Sequence, residues 1–268
     1  MKRLITYANY QFWVFAVGGG LFALAYGTLW SRGPLTTAPY ELAIELDPSY
    51  ALGHYNLGVA EQQAGLLEDA RRHYVAAREA DPHDHTPCVN HAQVAFALGR
   101  LDEALEAARC AVEHDGGSEA YDVLGRIFVA RADYAGAIGA LEEALRQRPG
   151  AAATRVDLGR AYASLSWFAE AETTLRIAIT QRPELAEAWF DLGQVIWKRG
   201  DAAGAYGAFQ TAVAMDPTQT KAMGNLAALD LEAGRRAAAL RWLDRELAID
   251  PANEAAKQLR AELSGGPR

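Results

Sequence analysis

Proline recurs along this chain at a fixed step. Asp47-Pro48, Asp81-Pro82, Arg148-Pro149, Arg182-Pro183, Asp216-Pro217 and Asp250-Pro251 close successive segments, and the prolines lie 34, 67, 34, 34 and 34 residues apart. The longer gap holds two segments, with the middle proline replaced near Asp115-Gly116. A period of this size is one supersecondary unit copied along the chain, and such a unit can bury its apolar face only against the next copy. Half of the residues are apolar and alanine is abundant, which favours helices over strands.

The interior of each segment repeats as well. In residues 186–219, Trp189, Leu192 and Gly193 sit on a first helix, and Ala205, Phe209 and Ala212 on a second, before Pro217. Residues 51–84 carry Leu57-Gly58, Ala70, Tyr74, Ala77 and Pro82 at the same places. Residues 118–151 carry Tyr121, Leu124-Gly125, Ala137, Leu141, Ala144 and Pro149, and residues 152–185 carry Leu158-Gly159, Tyr162, Ala171, Leu175, Ala178 and Pro183. Residues 220–253 are looser, with Met223, Leu226-Ala227, Ala239, Leu243, Leu247 and Pro251; residues 85–117 are the loosest and keep Ala104 and Ala111. Small residues belong where two antiparallel helices cross closely, large apolar ones fill the space around the crossing, and proline stops the second helix.

This pattern resembles the tetratricopeptide repeat over nearly all of residues 35–263. The resemblance implies an all-α fold, a right-handed superhelical solenoid of helix pairs. Its ends are atypical: residues 35–50 look like a lone opening helix with Tyr40 and Ala43 in phase, and residues 254–263 like a polar-faced closing helix. The domains expected are thus a membrane segment over 1–33 and an array over 34–268.

The membrane segment rests on composition. Residues 12–30, FWVFAVGGGLFALAYGTLW, hold no charge and as a helix span roughly 28 Å, about a bilayer's hydrocarbon thickness. Trp13 and Trp30 bracket them, as in an interfacial aromatic belt. Lys2 and Arg3 precede the span and only Arg32 follows closely, which places the N-terminus in the cytoplasm and the array outside it, in the periplasm of a bacterium. Ala23-Leu24-Ala25 offers the competing reading, a cleaved signal peptide that releases a soluble periplasmic adaptor. Ala16 and Gly20 are four apart, as are Gly19, Ala23 and Gly27, a spacing that lets another membrane helix approach.

Charge and motifs exclude several function classes. Residues 1–33 hold Lys2, Arg3 and Arg32 and no acid, which leaves the rest of the chain at −11 against −8 overall. An acidic body disfavours non-specific nucleic-acid binding. No GxSxG, P-loop, HExxH or dinucleotide fingerprint occurs, so neither catalysis nor a cofactor is expected. The stretch DPHDHTPCVNH at 81–91 holds three of the six histidines and one of the two cysteines, and His85, Cys88 and His91 are three apart. The repeat register nevertheless turns Cys88 and His91 inward, where other repeats carry Tyr121 and Leu124, and this argues against a shared metal. The same register brings Cys88 towards Cys110, near the end of the antiparallel second helix, so a disulfide is open to them in an exported protein.

What the resemblance implies for function is a protein partner, held on the face lined by first helices. The register puts Tyr55, Val59, Asn90, Gln93, Arg126, Arg160, Phe190, Gln194, Trp197 and Asn225 on or near that face. Phe190 and Trp197 are two turns apart and serve either as groove anchors or as core. Arg126 and Arg160, equivalent in neighbouring repeats, either hold a carboxylate or phosphate together or pair with Asp122, Asp157 or Asp191. The chain as a whole is expected to be a non-enzymatic membrane-anchored scaffold, a subunit or assembly factor of a membrane complex.

Overall fold

Alternation of small and large apolar residues on alanine-rich segments produces helices that pack in pairs. The computed structural model describes the backbone of residues 12–17 and 20–25, and residues 37–84 and 86–265. The chain divides into two compact units, Met1–Ala80 and Asp81–Arg268. In the first, α1 (Ala38–Leu46) precedes the pair α2 (Ala51–Gln63) and α3 (Leu67–Ala80). In the second, the pairs are α4 (Thr86–Ala97) with α5 (Leu101–Glu113), α6 (Gly117–Ala130) with α7 (Tyr134–Gln147), and α8 (Ala152–Ser164) with α9 (Phe168–Gln181). The pairs α10 (Ala186–Lys198) with α11 (Ala202–Met215) and α12 (Thr220–Glu232) with α13 (Arg236–Ile249) follow, and α14 (Glu254–Ser264) closes the series.

No described helix is long and apolar enough to cross a membrane. Where a helix is expected over 12–30, the described backbone instead forms β1 (Phe12–Val17) and β2 (Gly20–Ala25), paired antiparallel with Phe12 opposite Ala25 and Val17 opposite Gly20. The sequence carries a reason for this. FWVFAV is aromatic and β-branched, and a Gly-Gly pair between two apolar runs is a hairpin signal in a sequence. Of the small residues expected to pack another membrane helix, Ala16, Gly20 and Ala23 fall in these strands, while Gly19 and Gly27 lie outside the described residues.

Every helix pair turns the same way. The second residue after the first helix adopts positive φ at Gly65, Gly99, Ala132, Ser166, Gly200 and Gly234. The next N–H then reaches back to the carbonyl five residues earlier, Asp133 to Phe128 at 2.9 Å and Arg235 to Asp230 at 2.7 Å among them. This closes the exposed end of the first helix with its own carbonyls. Asp133 and Asp201 then cap α7 and α11, accepting from the amides of Gly136 and Gly204 at 3.0 and 2.8 Å.

The crossing within each pair joins two positions sixteen residues apart. A Cβ on Gly193 would stand 2.7 Å from the Phe209 ring, and one on Gly125 would stand 2.5 Å from Leu141. Glycine on the first helix thus makes room for a large side chain on the second. In the α4–α5 pair the same positions hold Ala92 and Ala108, both fully buried, so this crossing has the smallest side chains of the array. Cores run between pairs as well: Leu175 and Ala178 of α9 share a cluster with Leu192, Val195 and Phe209 of the next pair. At the ends, α1 has no buried residue and α14 buries only Ala256, as expected for elements packed on one side.

Candidate functional site

First helices α4, α6, α8 and α10 each touch the next, and their side chains join them into one face. The Arg126 guanidinium of α6 lies 5.3 Å from the Phe96 ring centre of α4. Thr154 of α8 donates its hydroxyl to Asp122 of α6 at 2.5 Å. Arg160 of α8 donates to Asp157 on its own helix at 3.0 Å, and to Glu187 and Asp191 of α10 at 2.9 and 2.6 Å. One turn beyond Gln93, Arg126, Arg160 and Gln194, at i+3 and so on the same side of each helix, stand Phe96, Val129, Ala163 and Trp197. All four are half-buried. The face therefore carries a polar row of arginine, glutamine and carboxylates beside an apolar row.

Arg126 and Arg160 do not form a shared anion site. All three guanidinium nitrogens of Arg160 are taken by carboxylates, while Arg126 is exposed, stacks on Phe96 and makes no ion pair among the described residues. The charge balance of this stretch is negative: among the described residues, the cationic groups beside Asp122, Asp157, Glu187 and Asp191 are these two guanidiniums. Burial, against the pull of Arg160, raises the Asp157 carboxyl above its ordinary range and pushes Asp191 up to about 6.

The aromatic residues serve two roles at once. Phe190 and Trp197 are half-buried, with ring centres 5.8 and 6.2 Å from Phe209 in the core, and each leaves part of its surface at the face. Gln194 between them is exposed, whereas Asn90 on α4 and Asn225 on α12 are half-buried. Tyr55, in the first compact unit, is half-buried with its ring 6.0 Å from Tyr74. Phe96, Val129, Ala163 and Glu187 escaped the reading of the sequence, although steps of 34, 34 and 33 residues back from Trp197 lead to all but the last.

The histidine-rich stretch resolves into packing. Cys88 and Cys110 are disulfide-bonded with Cα atoms 6.0 Å apart, within the reach of a disulfide, and join α4 to α5. His91 is buried, its Nε2 2.8 Å from Glu103 Oε1. His83 is exposed on the preceding turn, and His85 lies outside the described residues. No group of three potential metal ligands occurs among the described residues.

A titratable chain in the first unit was not legible beforehand. His54 Nε2 lies 3.0 Å from the Pro48 carbonyl, which can only accept, so that nitrogen carries a proton. In the neutral ring Nδ1 is then an acceptor, and His73 Nδ1 donates to it over 3.0 Å. This leaves His73 Nε2 as a lone pair facing Glu61 Oε1 at 3.6 Å. Burial pushes the Glu61 carboxyl up to about 7 and holds His73 below its ordinary value, so a protonated acid beside a neutral imidazole is the matching state. These residues come from two helices, and no spacing in the sequence joins them.

Comparison with known proteins agrees with this geometry. Family models described as tetratricopeptide repeat match residues 89–152, 123–166, 156–220 and 197–263, more than half of the chain taken together. The chain is a tetratricopeptide repeat protein. No curated protein matches it. Among solved structures, the Cut9-Hcn1 hetero-tetramer of APC/C superposes with a TM-score of 0.72 at 18% identity, covering 84% of this chain and 45% of that one. This chain thus spans under half the length of that relative. PilW, a type IV pilus biogenesis factor, gives 0.71 at 18% identity over 78% of this chain and 97% of its own. Pseudomonas aeruginosa pilF gives 0.68 at 17% identity over 81% and 98%. Identities this low establish the repeat fold and nothing finer.

Proposed function

We propose that this tetratricopeptide repeat protein is a non-enzymatic scaffold, tethered to a membrane by residues 12–30, that holds a protein partner on the face of α4, α6, α8 and α10. In this reading it is a subunit or assembly factor of a membrane complex. The observation that carries the proposal is that face: half-buried aromatics beside a row of glutamine and arginine. Side chains of this kind make effective anchors for a partner.

The tether is supported by the nineteen uncharged residues 12–30, which carry Trp13 and Trp30 at their ends. In hydrocarbon, a two-stranded hairpin leaves the outer edge of each strand unpaired, at several kcal/mol for every unsatisfied group. A helix satisfies those groups internally, so bilayer insertion favours the helical form of the same segment. Lys2 and Arg3 orient the N-terminus towards the cytoplasm, and the body then faces the periplasm of a bacterium from the inner membrane. The Cys88–Cys110 disulfide supports an oxidising compartment. Ala23-Leu24-Ala25 supports the second reading, a soluble periplasmic adaptor released by signal cleavage.

Alkaline extraction of membranes from cells expressing the full chain separates the two. The tethered protein stays in the pellet with Met1 intact, and arginine at Leu21 and Leu24 releases it; a soluble chain starting at Tyr26 makes the adaptor reading the correct one. Bulky Gly19→Leu and Gly27→Leu changes test the small-residue face, since they leave insertion intact and detach a membrane partner docked there. Unchanged co-purification removes that contact from the proposal.

A further inference from the structure

The chemistry of the partner follows from the balance of charge on the proposed face, and this step rests on that face being the binding surface. Four carboxylates, Asp122, Asp157, Glu187 and Asp191, are gathered over α6, α8 and α10, and two guanidiniums answer them. Arg160 is saturated by three of the four, and Arg126 is spread over Phe96, makes no ion pair among the described residues and acts on Asp157 without contact. Residues 81–268, the unit that bears the face, sum to a net charge of −7, so their field adds to the local deficit. An acidic partner would meet this surplus of negative charge and find neither arginine able to turn towards it without abandoning its present contacts. Alongside runs the half-buried row Phe96, Val129, Ala163 and Trp197, which asks for apolar side chains.

We propose that the face selects a basic amphipathic segment of a partner protein, with lysine or arginine side chains entering among Asp122, Asp157, Glu187 and Asp191 and apolar side chains lying on Phe96, Val129, Ala163 and Trp197. Cationic groups supply the positive charge that the face lacks, and complementary charge speeds encounter and rejects acidic competitors. Because a cation needs ionised carboxylates, binding weakens as pH falls through the range in which Asp191, raised to about 6, takes up its proton. The groups facing Asp191 are Asp157, Arg160 and Glu187, and the guanidinium keeps its charge throughout that range.

The test pans a displayed random-peptide library against the detergent-purified full chain, with a photo-crosslinking residue at exposed Gln194 in one preparation and at exposed Arg176 on second helix α9 in another. Expected are peptides with lysine or arginine interleaved with leucine, phenylalanine or tryptophan that cross-link from position 194. Their affinity falls with added salt, falls again between pH 7.5 and pH 5, and drops about tenfold in a Glu187→Gln, Asp157→Asn double variant. Glu187→Gln alone, at an exposed side chain, serves as the variant that leaves packing untouched. Peptides that cross-link from 194 but are acidic, or show no charge preference, overturn the basic partner and leave the face standing. Peptides that cross-link only from 176, or an empty selection, overturn the face and the basic partner with it.

Discussion

Ala132 and Ser166 hold φ of 59° and 62° at turns where four of the six repeats use glycine. A side chain in this conformation crowds its own carbonyl, at a cost of about 1 kcal/mol or more. Glycine removes that strain but adds freedom to the unfolded chain, so Ala132→Gly and Ser166→Gly are each expected to stabilise the fold by about 0.5–1 kcal/mol. A higher urea midpoint with an unchanged slope is the measurement that checks it. Glu61 gives a second expectation at this scale. Its carboxyl titrates at about 7 in the fold and near the ordinary carboxylate value when unfolded, so the native state holds its proton more tightly. Its contribution to stability is therefore full below the unfolded value of 4.5 and is lost as pH rises from there through about 7. Glutamine imitates the protonated acid, so Glu61→Gln should match the parent's melting temperature at about pH 4 and exceed it at about pH 8. A constant difference across pH would show that the carboxyl does not titrate in this window.

At the scale of helix pairs, the loosest repeat in the sequence is also the one closed by a covalent bond. Ala92 and Ala108 meet at the α4–α5 crossing, where four other pairs oppose glycine to leucine, phenylalanine or tyrosine. Two alanines bury less surface than such a pairing, and the Cys88–Cys110 bond lies in the adjoining cluster with Val89, Ala111 and Ala120. A bond spanning 22 residues restricts the unfolded chain by about 3 kcal/mol. Cys88→Ala with Cys110→Ala, or reduction of the parent, should lower stability by up to that amount, read as an earlier denaturation midpoint. Labelling with a thiol reagent under denaturing, non-reducing conditions should find no free thiol. Labelled Cys88 or Cys110 would show that the chain is unbridged and that its α4–α5 pair stands on packing alone.

At the scale of the whole molecule, a stacked array shares stability only between neighbours, so its ends matter more than its middle. Helix α14 covers Ala239 and Leu243 with Ala256, and its end is held by Arg236, which donates to the carbonyl oxygens of Leu263 and Gly265. Ending the chain at Asn253 should therefore accelerate amide exchange in α12 and α13 while leaving α6 and α7 protected. Equal acceleration throughout would show that the second compact unit unfolds as one block.

The helical class, the 34-residue step, the placement of glycine at crossings and the inward turn of Cys88 and His91 were all legible in residue order, because each depends on contacts within one pair of helices. The uncharged run at 12–30 was equally legible as composition. Its backbone was not, since aromatic and β-branched residues around Gly18-Gly19 suit a hairpin as well as a membrane helix, and the surroundings decide between them. Tertiary structure alone decided which guanidinium is consumed. Arg126 and Arg160 occupy the same place in their repeats, yet one has Phe96 on the previous first helix and the other has Asp191 and Glu187 on the next first helix. The period places them identically; what differs is the neighbour each meets across the stack, and a burial-dependent charge balance exists only once those neighbours are in contact.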